Sequence, residues 1–404
     1  MTEIAGSSKT GLFKGFITSL GVGAMLFLGS CVNSSNYTYS SYSFPKGGEE
    51  QQPTGQVIGE GSVRVAMLLP FSGEGASASS VANLFRNTAE LALSDFQDSD
   101  IQLIIKDSGG TTSGGQAAAR AAVQEGAELI IGPVFANAVR GASPIARGAG
   151  VPIIAFSTDT NVASQGTYLL SYLPQSDTKR VVDFAIEQER RSFAALLPNN
   201  SYGAVVEAAF RQAVGSANGR IVSIERYTPG NVEDIRQKTT NISGLVSQVD
   251  TLFIPEGGGV PSYAMQVMTE VGANIGELKL IGSGLWNTPD VLRSPVLVGA
   301  WFPGPDNRNF DDFSNRYAQT YGSAPARNAS LAYDAMILAA GLVRTAGVER
   351  FSEYTLTSRD GFLGVDGVFR FDRNGNSERG LAVYTITQQG KAETVSTAQR
   401  SFSY

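Results

Sequence analysis

Residues 128–160, ELIIGPVFANAVRGASPIARGAGVPIIAFSTDT, constrain the fold more than any other stretch. Leu129 to Ile131 is a short apolar run cut off by Gly132-Pro133, and Val151 to Phe156 is a second run cut off by Ser157-Thr158-Asp159-Thr160. Between them, Ala136 to Gly148 carries alanines, Val139 and Ile145 at helical spacing, with Gly148 and Gly150 as stop signals. The unit reads β-α-β. A crossover of this kind makes the two strands parallel, so both polar loops emerge at the same carboxyl edge of one sheet. In open α/β sheets that edge is where ligands bind.

The rest of the chain alternates in the same way. VRVAMLLP, a loop from Phe71 to Ser80, a helix from about Ser80 with Val81, Leu84, Phe85, Leu91 and Ala92 on one face, and IQLIIK ending at Asp107-Ser108-Gly109-Gly110 precede the β-α-β unit. A helix from Gly114 to Gly126, capped by Thr112 or Ser113, connects them. Further on, YLLSYLP, a helix over Asp177 to Glu189, FAALLP, a helix over Tyr202 to Ala217, RIVSIERY, VDTLFIP and LKLIGSG repeat the pattern. Helices over Phe310 to Tyr321 and Ser330 to Ala346 follow, and GVFRFDRNGNSERGLAVYTITQQGKA alternates at period two around Asn374-Gly375, a hairpin signal. The fold class is α/β, with mostly parallel, helix-covered sheets.

The words IGPVFANAV, ASPIARGAGVPIIAFST and NNSYGAVVEAAFRQAV, in this order and spacing, resemble type I periplasmic binding proteins of the leucine-binding kind, over about Val63 to Ile386. The same fold is shared by penicillin-binding protein activators, lipoproteins that switch on peptidoglycan synthases. The resemblance implies a two-lobed Venus-flytrap architecture. One lobe is expected from residues 63–173 plus 304–362 and the other from 174–303 plus 363–404, with crossings near 172–176, 298–304 and 361–366.

The amino terminus adds an address. Lys9 and Lys14 precede an apolar stretch from Phe16 to Leu28 that is too short to span a bilayer, and Leu28-Gly29-Ser30-Cys31 resembles a bacterial lipobox. Residues 1–30 then read as a lipoprotein signal peptide and Cys31 as the acylated residue. Residues 31–62, rich in Ser, Tyr, Asn, Gly, Gln and Pro without apolar period, read as a disordered tether. Val32 and Asn33 lack the aspartate that retains lipoproteins at the inner membrane, so the expected location is the periplasm, anchored to the outer membrane. A tether of roughly 30 residues has an r.m.s. reach of about 30 Å, too short to meet an inner-membrane permease often.

Composition removes whole classes of function. A net charge of -6 leaves no basic excess for a nucleic-acid partner. With no histidine and one cysteine, Ser-His-Asp hydrolysis, Cys-His chemistry and histidine metal sites are out of reach. Gly73-Glu74-Gly75-Ala76-Ser77-Ala78 fits a dinucleotide loop, but Asp107 lies too far along and the helix is expected only near Ser80. Asp107-Ser108-Gly109 has the look of an aspartic protease turn without the second carboxylate such chemistry needs. Asp372 to Asn376 starts like a calcium loop, yet the twelfth position is Val383. No cofactor, metal or enzymatic reaction is expected.

What survives is a binding cleft for a small molecule. Phe135, Ala136 and Asn137 open a helix whose free N–H groups suit a carboxylate or phosphate. Ser157, Thr158 and Thr160 add hydroxyls from the neighbouring loop, and by the resemblance Tyr202 is the aromatic that closes over the ligand from the second lobe. Amino-acid binders place a carboxylate-binding serine where this chain has Ala136, and an acid for the ligand's ammonium near Gly282-Ser283-Gly284-Leu285-Trp286. An amino-acid ligand therefore needs Asp159 or Glu256 in that role, and Phe135, Phe156 and Trp286 suggest a more apolar or sugar-like pocket, or one that has lost its ligand. The resulting expectation is an envelope lipoprotein that regulates a peptidoglycan synthase. The alternative is the substrate-binding component of an ABC transporter for branched-chain amino acids or related solutes, with a permease as partner.

Overall fold

The computed structural model describes residues 52–402 apart from Gln97. The expected signal peptide, the lipobox at Cys31 and most of the tether lie outside those residues. The end of the expected tether does not: β1 (Val57–Ile58) pairs antiparallel with β3 (Ile101–Asp107), and Thr54 donates to Glu125 at 2.7 Å. Residues from about Thr54 onward are therefore strapped to the body. Lys106 reinforces this strap by donating to Thr54 and to Glu125 at 2.7 Å.

The first sheet runs β1-β3-β2-β4-β5-β6, with β2 at Val63–Leu69, β4 at Leu129–Ile131, β5 at Ile153–Ala155 and β6 at Thr167–Leu169. From β3 to β6 all pairings are parallel. These strands read as continuous apolar runs because both faces are covered, and Met67, Leu68 and Leu69 are all fully buried. One face packs on α1 (Ala76–Asp95) and the other on α2 (Thr112–Gln124) and α3 (Ala136–Gly148). Helices α2 and α3 touch backbone to backbone. A Cβ at Gly115 would lie 2.2 Å from the Ala138 carbonyl oxygen, and one at Gly141 1.9 Å from that of Thr112. Only glycine fits there.

Two expectations shift here. α1 starts at Ala76, directly after Gly75, four residues before the sequence suggested, and Thr111 instead of Thr112 or Ser113 caps α2 by accepting from Gly114 N. The early start removes one objection to a dinucleotide loop. The other objection grows, because the Asp107 carboxylate accepts from Ser72 N and Gly109 N and is spent on its own loop.

The second sheet runs β16-β15-β11-β10-β9-β7-β8. After α4 (Pro174–Glu187) come β7 (Ser192–Pro198), α5 (Ser201–Ser216), β8 (Arg220–Tyr227), α6 (Val232–Ser243), β9 (Thr251–Phe253), α7 (Val260–Glu270), β10 (Lys279–Ile281), the short α8 (Pro289–Leu292) and β11 (Trp301–Gly304). Helices α6 and α7 escaped the sequence reading. On α6 the buried stripe is Ile235, Thr239, Ile242 and Ser243, half of it polar. Thr239 and Ser243 are tolerated because each hydroxyl donates to the carbonyl four residues back, at 2.8 and 2.9 Å.

The chain returns through α9 (Arg308–Tyr321), α10 (Ala329–Thr345) and the short α11 (Glu353–Leu356) to a three-stranded sheet of β12 (Phe362–Gly364), β13 (Gly367–Phe371) and β14 (Ser377–Arg379), and ends on β15 (Ala382–Ile386) and β16 (Ala392–Ser396). The hairpin at Asn374-Gly375 is the β13–β14 turn. Residues 363–379, expected in the second lobe, pack on the first. Phe369 and Phe371 are buried in its core, Phe371 lies 5.3 Å from Tyr168 by ring centroids, and Leu169 N donates to Gly375 O at 2.8 Å. The third crossing is thus at Gly380–Leu381 rather than 361–366. The reason is aromatic packing, which period-two alternation alone does not assign to one sheet or the other.

The crossings orient the lobes. Four residues, 170–173, join the carboxyl end of β6 to the start of α4, and a crossover helix starts at the carboxyl edge of its own sheet. Four residues reach at most about 14 Å, so the carboxyl edges of the two sheets face each other.

Candidate functional site

In each sheet the strand order reverses once, between β2 and β4 in the first and between β7 and β9 in the second. Ligands of open α/β sheets bind at such switch points. The loops there are those that the sequence singled out.

On the first lobe, Phe135 precedes α3 and its ring lies over Gly110, where a Cβ would come within 2.8 Å of it. No side chain caps α3, and Ala136 and Asn137 form its first turn. Its opening N–H groups therefore lack the side-chain acceptor that Thr111 gives α2. The Asn137 side chain accepts from Arg140 at 2.8 Å, and Arg140 also pairs with Asp159 at 2.7 Å, tying the two expected loops together. Asp159 already has its cation. Ser157 is buried and its hydroxyl accepts from Asp159 N at 3.1 Å, so it serves its own loop. Thr158 is exposed, and Thr160 accepts from Gln175 of α4 at 3.2 Å, a contact between lobes beside the first crossing.

On the second lobe, Tyr202 enters the first turn of α5, whose cap Asn200 accepts from Gly203 N at 2.9 Å. Its hydroxyl lies 3.2 Å from Pro255 O and 3.3 Å from Ser283 Oγ, so it bridges the loops after β9 and β10. Burial pushes this phenol up to about 12, which keeps it a neutral donor. Glu256 accepts from the Tyr227 hydroxyl. Trp286 is not a lining residue. It is fully buried in the second-lobe core, donates to Glu256 O at 3.1 Å, and fills the space a Cβ at Gly282 would need, with ring atoms at 2.2 Å. The expectation of an apolar pocket built on it is corrected by simple packing.

The structure adds two features that the sequence did not flag. Asp177, in the first turn of α4, accepts from Gly284 N at 3.0 Å, and burial pushes its carboxyl up to about 7. In sequence it is indistinguishable from an ordinary first-turn acid favoured by the helix dipole. Beside the crossings, fully buried Asp366 accepts from Tyr172, Arg327 and Ser330, while Arg327 also donates to Asn307 Oδ1 at 2.6 Å and lies over Phe310. Arg379 is buried between the rings of Tyr172 and Phe369, 3.8 Å from Asp334. Burial drives Asp334 upward and Arg379 pulls it back. No pattern in the sequence marks residues this far apart as one cluster.

Among the described residues no group of three or more acidic or cysteine side chains could hold a metal ion, and no helix is long and apolar enough to cross a membrane.

Comparison with known proteins follows the architecture. The sequence model of the family described as periplasmic binding protein matches residues 62–391. Among solved structures, a protein assigned to a branched-chain amino acid ABC transporter from Rhodospirillum rubrum is similar with a TM-score of 0.72 and 20% identity, covering 82% of this chain and 99% of that one. An ABC transporter substrate-binding protein from Desulfitobacterium hafniense in complex with Leu matches at 0.61 and 21%, over 82% and 99%. An ABC transporter solute-binding protein from R. palustris in complex with benzoate matches at 0.59 and 18%, over 84% and 97%. No curated protein sequence matches this chain. With a family match over most of the chain, from β2 through β15 and across all three crossings, this chain belongs to the periplasmic binding proteins.

Proposed function

We propose that this protein is the substrate-binding component of an ABC importer, a non-catalytic receptor that holds a small carboxylate in the gap between the two carboxyl edges. The observation that carries this reading is the uncapped start of α3 at the switch point of the first sheet, with Tyr202 at the switch point of the second. Backbone N–H groups at a helix start take a carboxylate without any charged side chain, so Ala136 in place of a serine does not forbid it. Leucine and benzoate, bound by the relatives above, share that carboxylate. The two lobes would close over the ligand by its differential affinity for the closed form.

The named relatives are assigned to ABC transporters, two of them as substrate- or solute-binding proteins, which favours a permease as partner over the peptidoglycan synthase to which the tether argument pointed. Periplasmic location goes with the family, and acylation at Cys31 is the proposed anchor.

Calorimetric titration of leucine and benzoate into the protein tests the reading. Micromolar binding of either is expected, with Tyr202→Ala weakening it by about 1–3 kcal/mol, roughly 5- to 150-fold. Absence of binding, together with stimulation of a peptidoglycan synthase that Tyr202→Ala leaves intact, would defeat it.

A further inference from the structure

Each of the three segments that cross between the lobes is held from both sides, on residues that are neighbours or nearly so. In the first crossing Ser171 donates to Phe156 O at 3.1 Å, and the Tyr172 hydroxyl meets Asp366 and Ser330, all of the first lobe. Two residues later Pro174 already opens α4 of the second lobe. In the second crossing Tyr384 of β15 donates to Pro305 O at 2.7 Å, while Arg327, just before α10, donates to Asp306 O at 3.3 Å and to Asn307 Oδ1 at 2.6 Å. In the third, Gly380 N donates to Val368 O at 2.9 Å on the first-lobe side, and Arg180 of α4 donates to Leu381 O at 2.8 Å on the other. Each crossing therefore has one short joint between its anchors: at Leu173, between Pro305 and Asp306, and between Gly380 and Leu381.

The first-lobe anchors are not independent. Asp366, fully buried in the turn between β12 and β13, accepts from Tyr172 of the first crossing, from Arg327, which grips the second, and from Ser330 at 2.5 Å. Arg379, the last residue of β14 before the third crossing, packs its guanidinium over the ring of Tyr172, 5.3 Å from the centroid. Asp334, 3.8 Å from Arg379, accepts from Val365 N of the same turn at 2.6 Å. One carboxylate thus sits at the centre of a buried network that reaches all three crossings. Removing one partner of a buried ion pair leaves the other charge uncompensated, so this network loosens as a unit.

We infer that Asp366 is the hinge pin of the molecule. It fixes the three crossings to the first lobe, confines lobe motion to the three joints, and so sets the balance of open and closed forms from outside the cleft. Resting on the receptor reading above, it is also a positioning residue for the solute, because apparent affinity scales with the fraction of molecules competent to bind.

Spin labels on Thr112→Cys and Asn199→Cys, exposed positions on the two carboxyl edges, report the distance between lobes in the full chain once Cys31→Ser removes the single native thiol. In ligand-free protein, Asp366→Asn should broaden the distance distribution. Tyr172→Phe, which frees the first crossing and keeps the ring beneath Arg379, should broaden it less. Glu125→Gln is the control: it breaks another buried ion pair, with Lys106 at 2.7 Å, that touches no crossing, and should lower stability while leaving the distribution native. In titrations with L-leucine, Asp366→Asn should weaken binding about 2- to 30-fold and Glu125→Gln should not. A distribution unchanged in Asp366→Asn and Tyr172→Phe, or broadened as much by Glu125→Gln, overturns the inference. Should Asp366→Asn misfold, an unchanged distribution in Tyr172→Phe alone overturns it. Failure of the native protein to bind leucine counts against the receptor reading only, since the distances decide the pin without a ligand.

Discussion

The two lobes repeat one topology with opposite edge chemistry. Strand order β3-β2-β4-β5 in the first matches β8-β7-β9-β10 in the second, and each reverses at the first of its parallel strands. On the first edge the acid at the loop tip, Asp159, is neutralised within its own lobe by Arg140. On the second, Asp177 has a backbone N–H and Glu256 a phenol, and among the described residues neither is in an ion pair. One edge therefore carries a helix start without a side-chain cap, and the other carries acids held by neutral donors. A shared fold fixes where a ligand sits, while a few side chains per edge decide which end of it goes where.

The largest expected effect separates packing from binding on the second edge. Trp286→Ala empties the largest fully buried side chain of that lobe and strips Glu256 O of its donor, so stability should drop by about 3–5 kcal/mol. Denaturant unfolding measures this. If affinity changed and stability did not, Trp286 would line the cleft after all. Between the sequence and this result lies the main misreading: an aromatic after a glycine-rich strand end reads as a pocket wall. Gly282 instead lets the ring tuck back into its own core.

A smaller effect tests the electrostatic contrast. Because the Asp177 carboxyl is raised from 3.8 to about 7, the unfolded chain ionises first as pH rises. Asp177 therefore costs stability progressively from about pH 4 to about pH 7, and fully above that. Asp177→Asn should raise the melting temperature at pH 8 by a few degrees, at roughly 2–4 °C per kcal/mol, and leave it unchanged at pH 4. A variant equally stabilised at both would show that the carboxylate is not the source.

The smallest effect belongs to the first edge. Arg140 and Asp159 are both substantially exposed, so Arg140→Ala should cost less than about 1 kcal/mol, and less still at high salt. A larger loss would mean that the pair holds the 135–139 and 157–160 loops in place, making the two edges more alike than their chemistry suggests.

The sequence by itself determined the alternation of strands and helices, the parallel order that follows from β-α-β units, and the carboxyl edge at which the polar loops emerge. Those rest on local periodicity and on the handedness of crossovers, which neighbouring residues carry. It also placed the helix starts at Ala136 and near Tyr202, because a helix start after a strand is a local signal, whereas the role of Tyr202 came from the family resemblance. Only tertiary structure decided that Trp286 is core, that residues 363–379 join the first lobe, and that Asp177 meets Gly284 across 107 residues. The physical reason is common to all three. Whether an aromatic is pocket wall or core, whether a hairpin covers one sheet or another, and whether an acid has a cation depend on what lies opposite in space, and a one-dimensional pattern does not record that.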